Sequence, residues 1–320
     1  MPQSIDQLLD RAADLLAADR KVALCLLVKA TGSTPVPAGA VLLVDDAAAT
    51  HGTIGGGCVE AELRRQVMTM ISSGRTGVLH FELDHDHGWD DGMICGGSID
   101  VAVALPADGR TLRDVADAYR RREPAQLGAI VDTSDGPDDD TVRQRYVLDL
   151  LPRPRLLIAG AGHIGRALCQ LALELDFDVT AFDDRADLLD RCFSDPARRV
   201  AGPIHESIVR DAIDAETYIV IVTRGHRHDA EVLKAVVEKP ARYIGMIGSR
   251  RKVQVIMDDL RAGGISDEAI GRVQAPIGLG IGAVTAGEIA LSIAAQLVEV
   301  RRDGYRSPVR GPLNLDAVST

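Results

Sequence analysis

Residues 155–165 read Arg-Leu-Leu-Ile-Ala-Gly-Ala-Gly-His-Ile-Gly, an apolar run that ends in Gly160-x-Gly162-x-x-Gly165. Residues 166–175 continue it with helical periodicity. Strand, glycine loop and helix in that order form the opening of a dinucleotide-binding unit. The first glycine permits a tight turn, the second lets backbone N–H groups approach an anion, and the third lets helix and strand pack closely. The start of the helix adds free N–H donors and a partial positive charge. Gly160, Gly162, His163 and Gly165 are therefore candidate cofactor-binding residues. A second strand, 178–182, ends in Asp183-Asp184-Arg185. Asp183 stands at the distance where such a site places its ribose-binding acid. A glycine turn without a ligand would look the same over residues 160–165 alone, and the downstream acid favours the nucleotide-type site.

With 320 residues the chain is long enough for two domains, each with its own core. The expected fold class is α/β. A mixed α/β domain covers 1–152, a Rossmann-like doubly wound domain covers 153–306, and the boundary falls at Pro152-Arg-Pro154. Residues 307–320 are expected as a loose tail or a partner-dependent arm. The net charge of -11 argues against nucleic acid as the main partner. No apolar run reaches membrane-spanning length. The first residues lack the plan of a signal peptide. Five irregularly spaced cysteines fit reduced thiols in a cytoplasmic protein.

Further along the second domain, the buried strand 217–222 runs into Thr223-Arg-Gly-His226-Arg-His-Asp229. Polar groups at the carboxyl end of such a strand are well placed for a ligand. Thr223 and His226 are candidates, and His226 and Asp229 are expected to bond a cofactor or one another. Gly248-Ser249-Arg250-Arg-Lys repeats the glycine-to-helix entry with cations behind it, which suits a phosphate. Thr285 and Glu288 form a capping box for the last long helix.

In the first domain, Ser4 and Gln7 cap an amphipathic helix, and the continuous apolar run 22–28 reads as a strand covered on both faces. Gly55, Gly56, Gly57 and Cys58 then lead directly into another helix. Backbone there can approach a ligand, and a helix start favours thiolate over thiol. The bland alternative is a tight turn beside a buried cysteine. The run 84–92 holds two histidines and several aspartates, but adjacent alternating side chains seldom converge on one ion. It is expected to be a solvated acidic loop. Cys95, beside Gly96 and Gly97, is the second cysteine next to consecutive glycines.

Gly32-Ser-Thr-Pro35, Gly52-Thr-Ile-Gly-Gly-Gly-Cys-Val-Glu60 and Gly92-Met-Ile-Cys-Gly-Gly97 resemble the xanthine dehydrogenase accessory proteins, the XdhC/CoxI family. Arg242–Lys252 and Ala275–Thr285 extend the resemblance over nearly the whole chain. The resemblance implies a maturation chaperone rather than a catalyst, so no catalytic residue is expected. Such a protein binds the molybdenum cofactor (a molybdopterin), protects it while sulfur is installed, and hands it to a xanthine dehydrogenase-type apoenzyme. A cysteine desulfurase is the further partner and a homodimer the expected assembly. Glycine-rich anion sites would hold the phosphate end, and Cys58 and Cys95 would ligate molybdenum or handle the incoming sulfur. The chain departs from the family at Gly280, where an aspartate is usual, and at Ala286, near a frequent proline. It lacks the cysteine-rich iron–sulfur motifs and the length of a xanthine dehydrogenase itself. The alternative is an NAD(P)-dependent oxidoreductase using Gly160–Gly165 and Asp183, for which no Tyr-x-x-x-Lys pair is present.

Overall fold

The computed structural model describes residues 3–83, 96–133, 142–193, 195–303 and 307–315. The chain divides into two compact units, Met1–Pro152 with Arg306–Thr320, and Arg153–Tyr305.

The first unit runs α1 (Ile5–Ala17), β1 (Val22–Thr31), β2 (Val41–Asp45), β3 (Thr50–Gly52), α2 (Gly57–Ser73), β4 (Gly77–Glu82), β5 (Ser98–Ala104), α3 (Gly109–Arg120), β6 (Ala125–Thr133) and β7 (Val142–Leu150). Gln7 Oε1 accepts from Ser4 N at 3.1 Å and closes the start of α1. Its apolar stripe, Leu8, Leu9, Ala12 and Leu15, is buried. Strands β3-β2-β1-β5-β4 form one antiparallel sheet. Successive side chains of a strand face opposite ways. Leu24 and Leu26 of β1 therefore enter one core with α1 and α3, and Ala23, Cys25 and Leu27 enter another against α2.

The second unit runs β8 (Arg155–Ala159), α4 (His163–Glu174), β9 (Asp178–Asp183), α5 (Ala186–Cys192), β10 (Arg198–Ala201), α6 (Ile204–Ile208), β11 (Thr217–Ile221), α7 (His226–Val236), β12 (Tyr243–Met246), α8 (Arg250–Ala262), α9 (Asp267–Gly271), β13 (Val273–Gln274) and α10 (Ala286–Arg302). Its sheet is parallel throughout, in the order β10-β9-β8-β11-β12-β13. Counted within the unit this is 3-2-1-4-5-6, the order of a doubly wound dinucleotide fold. Helices α4 and α10 cover one face, and α6, α7, α8 and α9 cover the other. The order reverses between β8 and β11, so the loops after these two strands flank the crevice where ligands of such sheets bind. Among the described residues no helix is long and apolar enough to cross a membrane.

The last segment corrects an expectation. Instead of a loose tail, β14 (Val309–Asn314) returns to the first unit and pairs antiparallel with β7, in a sheet ordered β14-β7-β6. The Arg310 guanidinium grips both oxygens of Asp149, at 2.8 and 2.7 Å. The physical reason is the open edge of β7, whose backbone groups need partners.

Candidate functional site

The three glycines of the 160–165 loop do different work. Gly160 has φ +119°, and a Cβ there would stand 2.5 Å from Val222 O. A Cβ on Gly165 would stand 2.1 Å from Gly160 O. Those two positions let β8, β11 and α4 meet. Gly162, the N-cap of α4, has ordinary extended backbone (φ −73°, ψ −174°), and a Cβ there would meet no atom within 4 Å. The open backbone therefore lies at the helix start, where N–H groups point at an incoming anion. His163, the first residue of α4, is exposed.

Asp183 does not have the expected geometry of a ribose acid. It is 2% exposed. Its Oδ2 accepts from Ala161 N at 2.8 Å and from the Arg185 guanidinium at 2.9 Å. Its Oδ1 accepts from Arg185 N at 3.0 Å and from Arg185 Nε at 2.8 Å. Burial opposes its ionisation, but the bonds from Arg185 and Ala161 prevail and hold the carboxyl well below the usual carboxylate range. Asp183 thus latches the glycine loop to the end of β9. The sequence shows an acid at the right spacing, but not that four local donors saturate it.

Beyond Asp183 the charges alternate. Arg185 Nε lies 3.7 Å from Asp184 Oδ1, and Arg224 reaches Asp184 Oδ2 at 2.6 Å. This run of charges borders a pocket of about 290 Å³ at the carboxyl ends of β9, β10 and β11. Pro203, Ile204 and Val232 supply its apolar wall, with Thr223, Arg185 and Arg224 among its polar lining.

His226 and Asp229 do not pair. Asp229 is fully buried, and its carboxylate accepts from Thr223 N at 3.1 Å, from the Thr223 hydroxyl and from Lys252 Nζ. One helical turn brings Asp229 under Thr223, whereas His226 begins α7 exposed. The role of Lys252 follows from α8 standing beside α7, which no local motif announces. At the start of α8 the Ser249 hydroxyl caps Lys252 N at 3.3 Å, and Arg250 is exposed. A Cβ on Gly248 would lie 3.1 Å from the Lys252 side chain, so this glycine makes room for that lysine. At the end of the glycine-rich segment before α10, two backbone N–H groups are already taken. The Glu288 carboxylate accepts from Val284 N at 2.7 Å and Thr285 N at 2.9 Å.

In the first unit, three separated motifs meet. A Cβ on Gly97 would lie 2.5 Å from Ser33 O, and one on Gly32 would lie 2.8 Å from Gly96 O. A Cβ on Gly55 would stand 2.9 Å from the Pro35 ring. Segments 32–33 and 96–97 therefore meet backbone to backbone, and segment 52–60 joins them through Gly55 against the Pro35 ring. Glu60 reaches back to Thr53 Oγ1 at 2.6 Å and Ile54 N at 3.2 Å, which fixes the turn. Gly56 caps α2, a Cβ on Gly57 would meet open space, and Cys58 is exposed on the first turn. Cys25 and Cys169 differ. Burial pushes their thiols up to about 12 and about 11, so both are inert core groups. Cys95 and the acidic run 84–92 lie outside the described residues. Among the described residues no group of three or more His, Cys, Asp or Glu is arranged to hold a metal ion.

Known proteins bear on this arrangement. A family model described as the XdhC Rossmann domain matches residues 156–297, and one described as the XdhC and CoxI family matches 15–82. An uncharacterized Escherichia coli protein, YqeB, is 26% identical over 91% of this chain, which spans 46% of that protein's length. The E. coli molybdenum cofactor insertion chaperone PaoD is 24% identical over 91% of this chain and 86% of its own. A protein of Bacillus subtilis named as a probable xanthine dehydrogenase component is 22% identical over 90% of this chain and 96% of its own. The crystal structure of a protein named xanthine dehydrogenase from Bacillus halodurans superposes with a TM-score of 0.77. It shares 21% identity, and the match covers 95% of this chain and 98% of that one. The α/β fold with its parallel Rossmann sheet, and the two family matches on either side of the unit boundary, lead to one assignment: the chain belongs to the XdhC and CoxI family.

Proposed function

We propose that this protein binds the molybdenum cofactor as cargo and supports its sulfuration and insertion into a xanthine dehydrogenase-type hydroxylase. The observation that carries the reading is Gly162. Its backbone is open at the start of α4, while Gly160 and Gly165 on either side are locked by packing. That is a cradle for a phosphate, and molybdopterin carries one. Backbone N–H groups at Gly162 and His163 would hold it without help from a titrating side chain. Cys58 is an exposed soft donor on a turn held by Glu60, and suits the sulfur chemistry of the cargo. Cys95 is proposed for the same chemistry on its sequence context alone.

The relatives support the same reading, since one is named a molybdenum cofactor insertion chaperone. A cysteine desulfurase as sulfur donor, a homodimeric assembly and a cytoplasmic location belong to this proposal. The oxidoreductase alternative has no Tyr-x-x-x-Lys pair in the sequence to support it. The test is molybdenum and pterin analysis of the protein purified from cells that make the cofactor. The wild type should carry both and a folded Gly162→Asp variant neither. A wild type free of pterin refutes the reading.

A further inference from the structure

We propose that the open edge of β4 is a docking slot for an extended, acidic segment of another protein, which adds to the sheet of the first unit as a further strand.

β4 ends the five-stranded sheet and pairs with β5 on one side. Leu83 N donates to Gly97 O at 2.8 Å, and His80 stands opposite Asp100 in the same register. Backbone groups of an antiparallel strand point alternately towards its partner and away from it. Those of Val78, His80 and Glu82 therefore point away from β5, and among the described residues none of these three N–H groups has a hydrogen-bond partner. Exposed edges are commonly guarded by a proline, a bulge or a short strand. β4 has six residues, no proline and an unbroken register with β5. The opposite edge of the sheet, β3, has three residues.

This edge lies in a slot. A cavity of about 640 Å³ runs between the second half of α2, the first residues of β4 and the end of β6. Met70, Val78 and Leu79 are half-buried there and supply an apolar floor. The Thr76 hydroxyl accepts from Asp132 N at 2.9 Å, which fixes β6 against the start of β4. An added strand would gain affinity from main-chain bonds to the edge and specificity from alternate side chains in the slot.

Charge selects the occupant. The chain carries a net charge of -11, yet two exposed guanidiniums, Arg65 and Arg75, line the slot. Arg65 is shared with Glu62 of its own helix, at 2.8 Å, whereas Arg75 has no ion-pair partner among the described residues. The Asp132 carboxylate in the lining already accepts from Arg143 Nε at 3.1 Å. An acidic strand thus meets cations here and repulsion over most of the remaining surface. A second copy of β4 fits less well, because its one carboxylate, Glu82, is already bonded to His80 at 3.1 Å.

The test is fluorescence anisotropy of the full chain with labelled seven-residue peptides that alternate valine with glutamate or valine with lysine. The glutamate peptide should bind about 3- to 10-fold more tightly, the range for exposed ion pairs. Arg75→Glu should erase that preference and leave the thermal midpoint unchanged. N-methylation of every second peptide amide should abolish binding in one phase and spare it in the other, because an added strand bonds β4 along one of its edges. His80→Pro removes an N–H that faces away from β5 and should weaken binding about 10-fold, whereas His80→Thr keeps the N–H and should bind like the wild type. Absence of binding at millimolar glutamate peptide, equal affinity for the two peptides, or N-methylation that acts alike in both phases overturns the proposal. So does a dimer of the chain alone that His80→Pro breaks, since the slot would then hold a second copy. Should His80→Pro fail to fold, the N-methylated peptides decide without it.

Discussion

Alanine placed in turn at Gly160, Gly162 and Gly165 should separate folding from binding within six residues. At Gly160 an alanine must adopt φ +119°, which costs about 1–2 kcal/mol for an L-residue. Its Cβ would also press on Val222 O at 2.5 Å and Val222 C at 2.8 Å, and relieving such overpacking costs about 1–3 kcal/mol. The sum is about 2–5 kcal/mol, a large part of the roughly 5–15 kcal/mol that holds a domain folded. Gly165→Ala sets its Cβ 2.1 Å from Gly160 O, backbone against backbone, and costs about 3 kcal/mol by the same overpacking argument. Gly162→Ala meets open space in a conformation any residue adopts, and the gain from a stiffer unfolded chain is offset by losing glycine at the N-cap, so stability should change by less than about 1 kcal/mol. Its methyl group stands where the phosphate must approach. Losing one hydrogen bond to a charged group costs about 1.5–3 kcal/mol, or roughly 10- to 150-fold in affinity. Scanning calorimetry reads the first effect and pyrophosphate titration the second. A Gly162→Ala protein that loses several kcal/mol, or that binds pyrophosphate like the wild type, refutes the division of labour. So does a Gly160→Ala protein with an unchanged midpoint.

Other consequences can be checked separately. The folded-state pKa of Asp183, about 2, lies below its unfolded value near 3.9, so its contribution is complete above about pH 4 and fades as pH falls towards 2. Asp183→Asn should cost about 2 kcal/mol at neutral pH and flatten the acid limb of the stability curve, and parallel acid limbs would contradict this. Lys252→Met strands the buried Asp229 carboxylate and should cost about 3 kcal/mol in urea unfolding, with much of it regained in Lys252→Met/Asp229→Leu. An additive double variant would show that the two groups act independently. Truncation after residue 306 removes β14 and its grip on Asp149, lowering the stability of the first unit by about 2–4 kcal/mol at roughly one kcal/mol per lost bond. Pyrophosphate binding by the truncated chain should be unchanged, and a loss there would argue against assigning β14 to the first unit. Cys58→Ser should fold normally yet fail to activate a co-expressed apo-hydroxylase, whereas full activation removes Cys58 from the chemistry.

Much of the fold was legible in the chain because its determinants are local. The capping box of Ser4 and Gln7, the two-faced apolar run 22–28, and the passage from glycine loop to α4 each depend on residues within a few positions. The loop was readable for the same reason, since glycine at 160, 162 and 165 answers to one turn and one helix start. Residues 307–315 were not readable as a strand. Their pairing partner, β7, is some 160 residues away, and a short segment carrying Gly311 and Pro312 has no alternating pattern of its own. The convergence of segments 32–35, 52–60 and 96–97 was hidden too, because contacts made at glycine backbone leave no trace in side-chain periodicity.

The candidate site shows the same division at the scale of single residues. The sequence alone determined that an acid follows the second strand of a nucleotide-type unit, and that a basic residue comes after it. It did not distinguish the two adjacent aspartates. Both carboxylates lie near the Arg185 guanidinium, Asp183 at 2.8 Å and Asp184 at 3.7 Å, and spacing along the chain does not say which of them also accepts from Ala161 N. Only the tertiary structure decided which. By bringing the Gly160–Gly162 turn against the end of β9, it spent Asp183 on the backbone. By placing Arg224, in the loop after β11, beside the end of β9, it paired Asp184 at the pocket.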